Sequence, residues 1–176
     1  MKTLFALSLM AALLVSETAC SQKMPDLDKS PVDISYFPVR GGEKIVKVIY
    51  GRPQKNGREV FGKLVDYGKV WRTGANEATE IKFYRDVKFG GQEVKAGTYT
   101  LFTIPEKEEW TIILNSVLDQ WGAYGYDEKK DVVRVKGSVK KMNQAVDSFS
   151  ILFDDEDQKI QMVLAWDNVR VSVPIE

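Results

Sequence analysis

From Lys44 onward, apolar and polar residues alternate with a period of two, which restricts most of the chain to strands with one buried face. In EIKFYRDVKF (80–89), Ile81, Phe83, Val87 and Phe89 share odd parity, while Glu80, Lys82, Asp86 and Lys88 share even parity. Arg85 is the exception and marks a bulge or a break. The same texture returns in TYTLFTI (98–104), WTIILN (110–115), DVVRVKGSV (131–139), SFSILF (148–153), KIQMVLAW (159–166) and VRVSVPI (169–175). Pro105 with the charged run behind it, and the Gly90-Gly91 pair, supply turn chemistry that favours antiparallel hairpins. Helical turns fit only at GREVFGKLV (57–65) and around Lys140 to Gln144. The expected architecture is all-β: a single antiparallel β-sandwich or partly open barrel of about eight to ten strands, with at most short helical turns. A terminal hairpin is expected too, with Asp167-Asn168 as its two-residue turn. Trp166 then opposes Val169, Leu164 opposes Val171, Met162 opposes Val173 and Ile160 opposes Ile175.

The chain has 176 residues, enough for one domain with a proper core. Its 25 Lys and Arg balance 25 Asp and Glu, and no basic block stands out, so nucleic acid is not an expected partner. The absence of histidine removes the usual proton shuttle, histidine-based triads and most zinc sites. With a single cysteine, Cys20, internal disulfides and thiolate metal clusters are also excluded. Two carboxylates with separated pKa values can still run glycoside hydrolysis without histidine.

The N-terminus reads as an address. Lys2 precedes an apolar run from Leu4 to Val15, and SETAC ends in Ala19-Cys20, so residues 1–19 are read as a signal peptide. The Ala19-Cys20 step resembles a bacterial lipoprotein cleavage box, with Cys20 as the acylated residue, although Glu17 stands where an aliphatic residue is usual. Ordinary signal-peptidase cleavage to a soluble product is the rival. Residues 20–31 read as a tether and 32–176 as a single β-rich domain. The expected location is the envelope, as a periplasm-facing or outer-membrane lipoprotein, or alternatively soluble in the periplasm or secreted. The only membrane contact in this reading is an N-terminal lipid anchor.

Two stretches carry candidate binding chemistry. In VWRTGANEATEIKF (70–83), Arg72, Asn76 and Glu77 offer a guanidinium fork, an amide and a carboxylate in one corner, with Gly74 suited to a left-handed turn. These groups form either a ligand clamp or one hydrogen-bonded scaffold in which Arg72 pairs with Glu77 while Asn76 and Thr79 satisfy the loop backbone. DQWGAYGYDE (119–128) sets Trp121, Tyr124 and Tyr126 beside Asp119, Asp127 and Glu128, the composition of a glycan or peptide groove or of an anchored loop. Arg52 and Arg58 lie upstream: close to Arg72 they make a site for carboxylate or phosphate, and otherwise Arg52 caps a strand end and Arg58 pairs with Glu59 or another acid. The acidic run 154–157 lacks the spacing of a calcium loop and reads as a solvated turn, so no metal or other cofactor is expected.

The ordered motifs YGRP (50–53), GREVFGKLV (57–65), YGKVWRTGANEAT (67–79), AGTYTLFTIP (96–105), EWTIILN (109–115) and QWGAYGYD (120–127) resemble a bacterial secreted family known as domain of unknown function 2911. The resemblance covers most of the chain after the tether. It departs at Asp66, where the family usually has proline before the Tyr-Gly pair. It implies export and a β-rich domain, and it brings no activity, substrate or catalytic residue. The expected function is a non-enzymatic exported envelope module binding a small polar ligand, glycan or envelope protein through loops 70–79 and 119–128, with Arg72, Asn76, Glu77, Trp121 and Tyr124. The alternatives are a carboxylate-dependent, glycosidase-like hydrolase using Glu77 with Asp127 or Glu128, and a purely structural or interaction protein.

Overall fold

A computed structural model describes residues 23–156 and 159–176, so the expected signal peptide and Cys20 lie outside the described residues. The protein is all-β. Among the described residues nine antiparallel strands run β1 (Val32–Phe37), β2 (Val46–Gly51), β3 (Ala75–Phe83), β4 (Val87–Phe89), β5 (Gln92–Val94), β6 (Gly97–Ile104), β7 (Glu109–Asn115), β8 (Asp131–Glu156) and β9 (Lys159–Ile175). Their order across the sheet is β1-β2-β3-β6-β7-β8-β9-β4-β5, open at both edges and not closed into a barrel. The helical content described is one 3₁₀ turn, Glu128–Lys130.

Alternation works as the physics requires. In β2, Val46, Val48 and Tyr50 are buried; in β3, Ile81 and Phe83 continue the same face. The run 80–89 breaks between Phe83 and Val87, at Tyr84-Arg85-Asp86, yet Val87 and Phe89 return to the core. Gly90 and Gly91, at φ +57° and +83°, then close the β4–β5 hairpin, with Phe89 opposite Gln92.

The long strand β8 serves both halves of the sheet. Its first part pairs with β7 up to Glu109↔Ser138, and its later part pairs with β9 from Val139↔Val171 to Glu156↔Lys159. The two halves therefore fold over one core, where Val46, Ile81, Leu101 and Ile112 meet Met162, Leu164, Trp166 and Val171. An aromatic centre fills the interior, with Trp71 stacked on Trp166 at 5.9 Å between ring centroids and meeting Trp110 edge-on at 6.2 Å.

Several expectations need correction. The terminal hairpin does not exist: 159–166 and 169–175 are one continuous strand, β9, paired along β8. Trp166 and Val169 are both buried because Asp167, at φ +51°, interrupts the alternation, and its carboxylate pairs with Lys55 Nζ at 2.5 Å. A two-residue interruption restores the buried face whether the chain reverses or continues. Likewise 131–139 and 148–153 merge into β8, whose register against β9 shifts between Lys141 and Val146 and again before Ser150. The residues expected as a helical turn near Lys140 to Gln144 lie in that irregular stretch of strand. Residues 57–65 form tight turns rather than a helix, with the Leu64 and Val65 amides both donating to the Val60 carbonyl. Strand β1, outside the alternating region, was not expected; it lies at the sheet edge, paired with β2 from Val32↔Gly51 to Phe37↔Val46.

Candidate functional site

The two candidate loops meet. Glu77 lies opposite Trp121 in an isolated antiparallel bridge, the Ala78 amide donates to the Gln120 carbonyl at 2.8 Å, and the Gly122 amide donates to the Asn76 carbonyl at 3.0 Å. Residues 76–78 and 120–122 thus form a short ladder at the start of β3. Its far side is held by a second small core in which Phe102 and Ile113, on the face of β6 and β7 opposite the main core, are covered by Ala78, Ala123 and Tyr126.

Local strain shapes the first loop. Thr73 and Asn76 take φ +55° and +62°, conformations disfavoured for residues with a Cβ, above all a β-branched one. Thr73 is fully buried; its hydroxyl lies 3.1 Å from Thr103 Oγ1, and its carbonyl accepts from the Thr79 hydroxyl at 2.7 Å. Gly74, expected to supply the left-handed turn, does not. It is needed because a Cβ there would lie 2.9 Å from the Gly51 carbonyl oxygen and 2.9 Å from Thr79 Oγ1.

The expected single hydrogen-bonded cluster of Arg72, Asn76 and Glu77 does not form: among the described residues no side-chain hydrogen bond links the three. Their backbone groups and the two threonines close the loop instead, leaving the side chains unspent. Glu77 is exposed, and Arg72 and Asn76 are half-buried. Arg72 Nε is buried without a hydrogen-bond partner, as is Gln120 Oε1. A Cβ on Gly122 would sit 3.7 Å from Arg72 Nη1, so the guanidinium lies against the second loop. Above it Trp121 and Tyr124 are 61% and 87% exposed, with the Tyr124 ring resting on Gly122.

A cavity of about 240 Å³ is lined by Arg72 together with Arg58, Trp71, Asn76 and Trp166 among others. Arg52 does not contribute to it; its guanidinium bonds the Phe149 carbonyl at 3.0 Å, Ser150 Oγ at 2.8 Å and Asp33 at 3.2 Å. Arg58 does not pair with Glu59. It donates to the carbonyls of Lys55 and Gln54, at 2.8 and 2.6 Å.

Residues 31–175 match the family described as "Protein of unknown function (DUF2911)". The chain belongs to this family. No curated protein and no solved structure matches it. In this DUF2911 domain no described helix is long and apolar enough to cross a membrane, and no three acidic, cysteine or histidine side chains among the described residues converge as a metal-binding group.

The carboxylates of the second loop have local tasks. Asp127 accepts the Lys129 amide at 3.0 Å and caps the 3₁₀ turn, while Glu128 pairs with Arg134. Gln120 and Thr73 are site residues that sequence reasoning missed, and only the coordinates of the second loop reveal them; a lone glutamine or threonine carries no pattern.

Tyr126 anchors the aromatic loop to the DUF2911 sheet. Its ring meets Phe102 edge-on at 5.1 Å, and its hydroxyl donates to Asp131 Oδ2 at 2.6 Å, while Asn115 Nδ2 donates to Asp131 Oδ1 at 2.8 Å. Burial first, then the hydrogen bond and charge of Asp131, raise the Tyr126 phenol far above its ordinary value. Below about pH 10 both folded and unfolded phenols are neutral, and above it the unfolded one ionises first, so this stabilisation is lost as pH rises. Urea unfolding at pH 9 and 11 is expected to show a steeper alkaline loss for the native protein than for Tyr126→Phe. Equal slopes would assign the alkaline loss to other groups.

Proposed function

We propose that this DUF2911 protein is a non-enzymatic module exported to the cell envelope, which takes a small polar ligand, glycan or envelope protein at the junction of loops 70–79 and 119–128. The observation that carries the reading is the juxtaposition itself. A half-buried arginine, with Nε desolvated and unpaired, lies beneath a loop that holds Trp121 and Tyr124 in solvent. A buried donor without a partner costs about 1–3 kcal/mol, so Arg72 is held there at a cost to the fold. Exposed rings on an anchored loop suit the apolar face of a sugar or a peptide side chain.

The hydrolase reading draws less support, because Asp127 and Glu128 are engaged in capping and an ion pair. A lipid on Cys20 belongs to the proposal on the strength of the Ala19-Cys20 motif, and mass spectrometry of the membrane fraction should find an acylated mature terminus there. A soluble product beginning at another residue would refute the anchor.

Thermal-shift screening against glycans, nucleotides and peptidoglycan fragments tests the binding reading, since a ligand selective for the native state raises its stability. Trp121→Ala and Tyr124→Ala are expected to abolish the response to a hit while changing stability by no more than about 0.5 kcal/mol, as surface substitutions do. A melting temperature lowered by several degrees in both, with no ligand response in the native protein, would assign the loop to scaffolding.

A further inference from the structure

Resting on this binding reading, we infer that the cavity between Arg58 and Arg72 takes a small organic oxyanion, a carboxylate or phosphate monoester with an apolar body. Its lining residues include two arginines, Arg58 and Arg72, with Asn76 and apolar residues such as Leu64, Trp71 and Trp166. No acid lines it. Each wall group has a defined state. Arg58 is oriented by two backbone carbonyls, through Nε and Nη2, and makes no ion pair among the described residues. Among the described residues Arg72 has neither an ion-pair partner nor a hydrogen bond to Nε. The indole N–H groups of Trp71 and Trp166 are already spent on the carbonyls of Gly74 and Asp147, at 3.1 and 2.9 Å, so these rings present apolar surface. A guanidinium fork matches the two oxygens of a carboxylate or phosphate, and charge-assisted bonds of this kind are about twice as strong as neutral ones.

Size narrows the class further. The volume of about 240 Å³ lies below the range of about 300–1,000 Å³ that holds drug-sized ligands, so the anion is a single ring or short chain. An adjoining depression carries Lys29 and shares Ser30, Pro53 and Arg58, which extends the positive field toward the mouth. Cationic walls focus anions and make binding sensitive to salt.

The test uses the full chain with benzoate, phenyl phosphate and benzamide, the last a neutral analogue close in shape to benzoate. Side-chain nitrogen NMR follows the arginine Nε–H signals during titration. Benzoate or phenyl phosphate is expected to move the Arg72 signal saturably, with weaker binding at higher salt, whereas benzamide leaves it in place. Arg58→Gln and Arg72→Gln should each weaken binding by about tenfold or more, or about 1.4 kcal/mol. Arg58 is exposed, so Arg58→Gln answers the question even if Arg72→Gln fails to fold. Equal binding of benzamide, no binding of either anion, or affinity unchanged in Arg58→Gln would overturn the inference. A glycan response that depends on Trp121 and Tyr124 but persists when the anions fail would leave the parent reading standing; failure of both would remove it as well.

Discussion

Replacing Trp166 by alanine is expected to lower the free energy of unfolding by about 4 kcal/mol, the range for a fully buried large aromatic. Trp166 is 2% exposed and sits where the two halves of the folded sheet meet. Its ring stacks on Trp71 at 17° between planes, faces Phe149 at 5.8 Å and meets Phe61 edge-on at 6.2 Å. Truncation removes these contacts together, opens a void, and takes the indole donor at 2.9 Å from the Asp147 carbonyl, which keeps only the Lys55 amide at 2.8 Å. Strands β8 and β9 cannot collapse onto the space without losing their pairing. For a chain of this length the melting temperature should fall by roughly 10 °C. Urea denaturation and calorimetry check it, with Trp121→Ala, on an exposed tryptophan, as the comparison. A loss below about 1 kcal/mol for Trp166→Ala would mean that the aromatic centre is not the keystone described.

Gly51→Ala should be nearly as damaging, for a steric reason. A Cβ at Gly51 would lie 2.1 Å from the Ala75 carbonyl oxygen and 2.9 Å from its carbonyl carbon. The obstruction is backbone, which cannot swing aside as a side chain can. The register between β2 and β3 already shifts between Ile49 and Gly51, and Gly51 faces Ala75 there. One methyl group must therefore push β2 away from residues 74–76, which lead into the ladder that residues 76–78 form with the aromatic loop. The expected cost is about 3 kcal/mol, at the upper end for inserting volume into a packed site. Gly91→Ala is the control: it has φ +83° and no atom within 4 Å of the added Cβ, so only conformational strain of about 1–2 kcal/mol remains. If Gly91→Ala costs as much as Gly51→Ala in urea unfolding, close backbone approach is not what makes Gly51 necessary.

The parity of Ile81, Phe83, Val87 and Phe89 was legible in the sequence, and all four are buried even though the strand breaks between them. Parity is a local property: each residue of an extended chain faces opposite to its neighbour whatever the partner. The all-β class and the family followed from such runs and from the ordered motifs. Both loops were legible as places of concentrated polar and aromatic residues, and their backbones do meet through Glu77 and Trp121. The hydrogen-bonded cluster expected within the first loop was wrong, because Thr73 and Thr79 satisfy that corner and leave Arg72 to face the other loop.

What the sequence alone determined is which residues lie on a common face, that these faces belong to strands, and which corners hold the chemistry. Only the tertiary structure decided whether the interruption at Asp167-Asn168 reverses the chain or bends it, because both outcomes return Trp166 and Val169 to the core. The choice came from β8, long enough to pair with β9 on both sides of the interruption, and from Lys55, more than a hundred residues away, which holds the Asp167 carboxylate. Likewise, the cavity between Arg58 and Arg72 depends on the folding of one half of the sheet over the other. Pairing of this kind is set by contacts between distant segments, and a period read along a single strand contains no information about its partner.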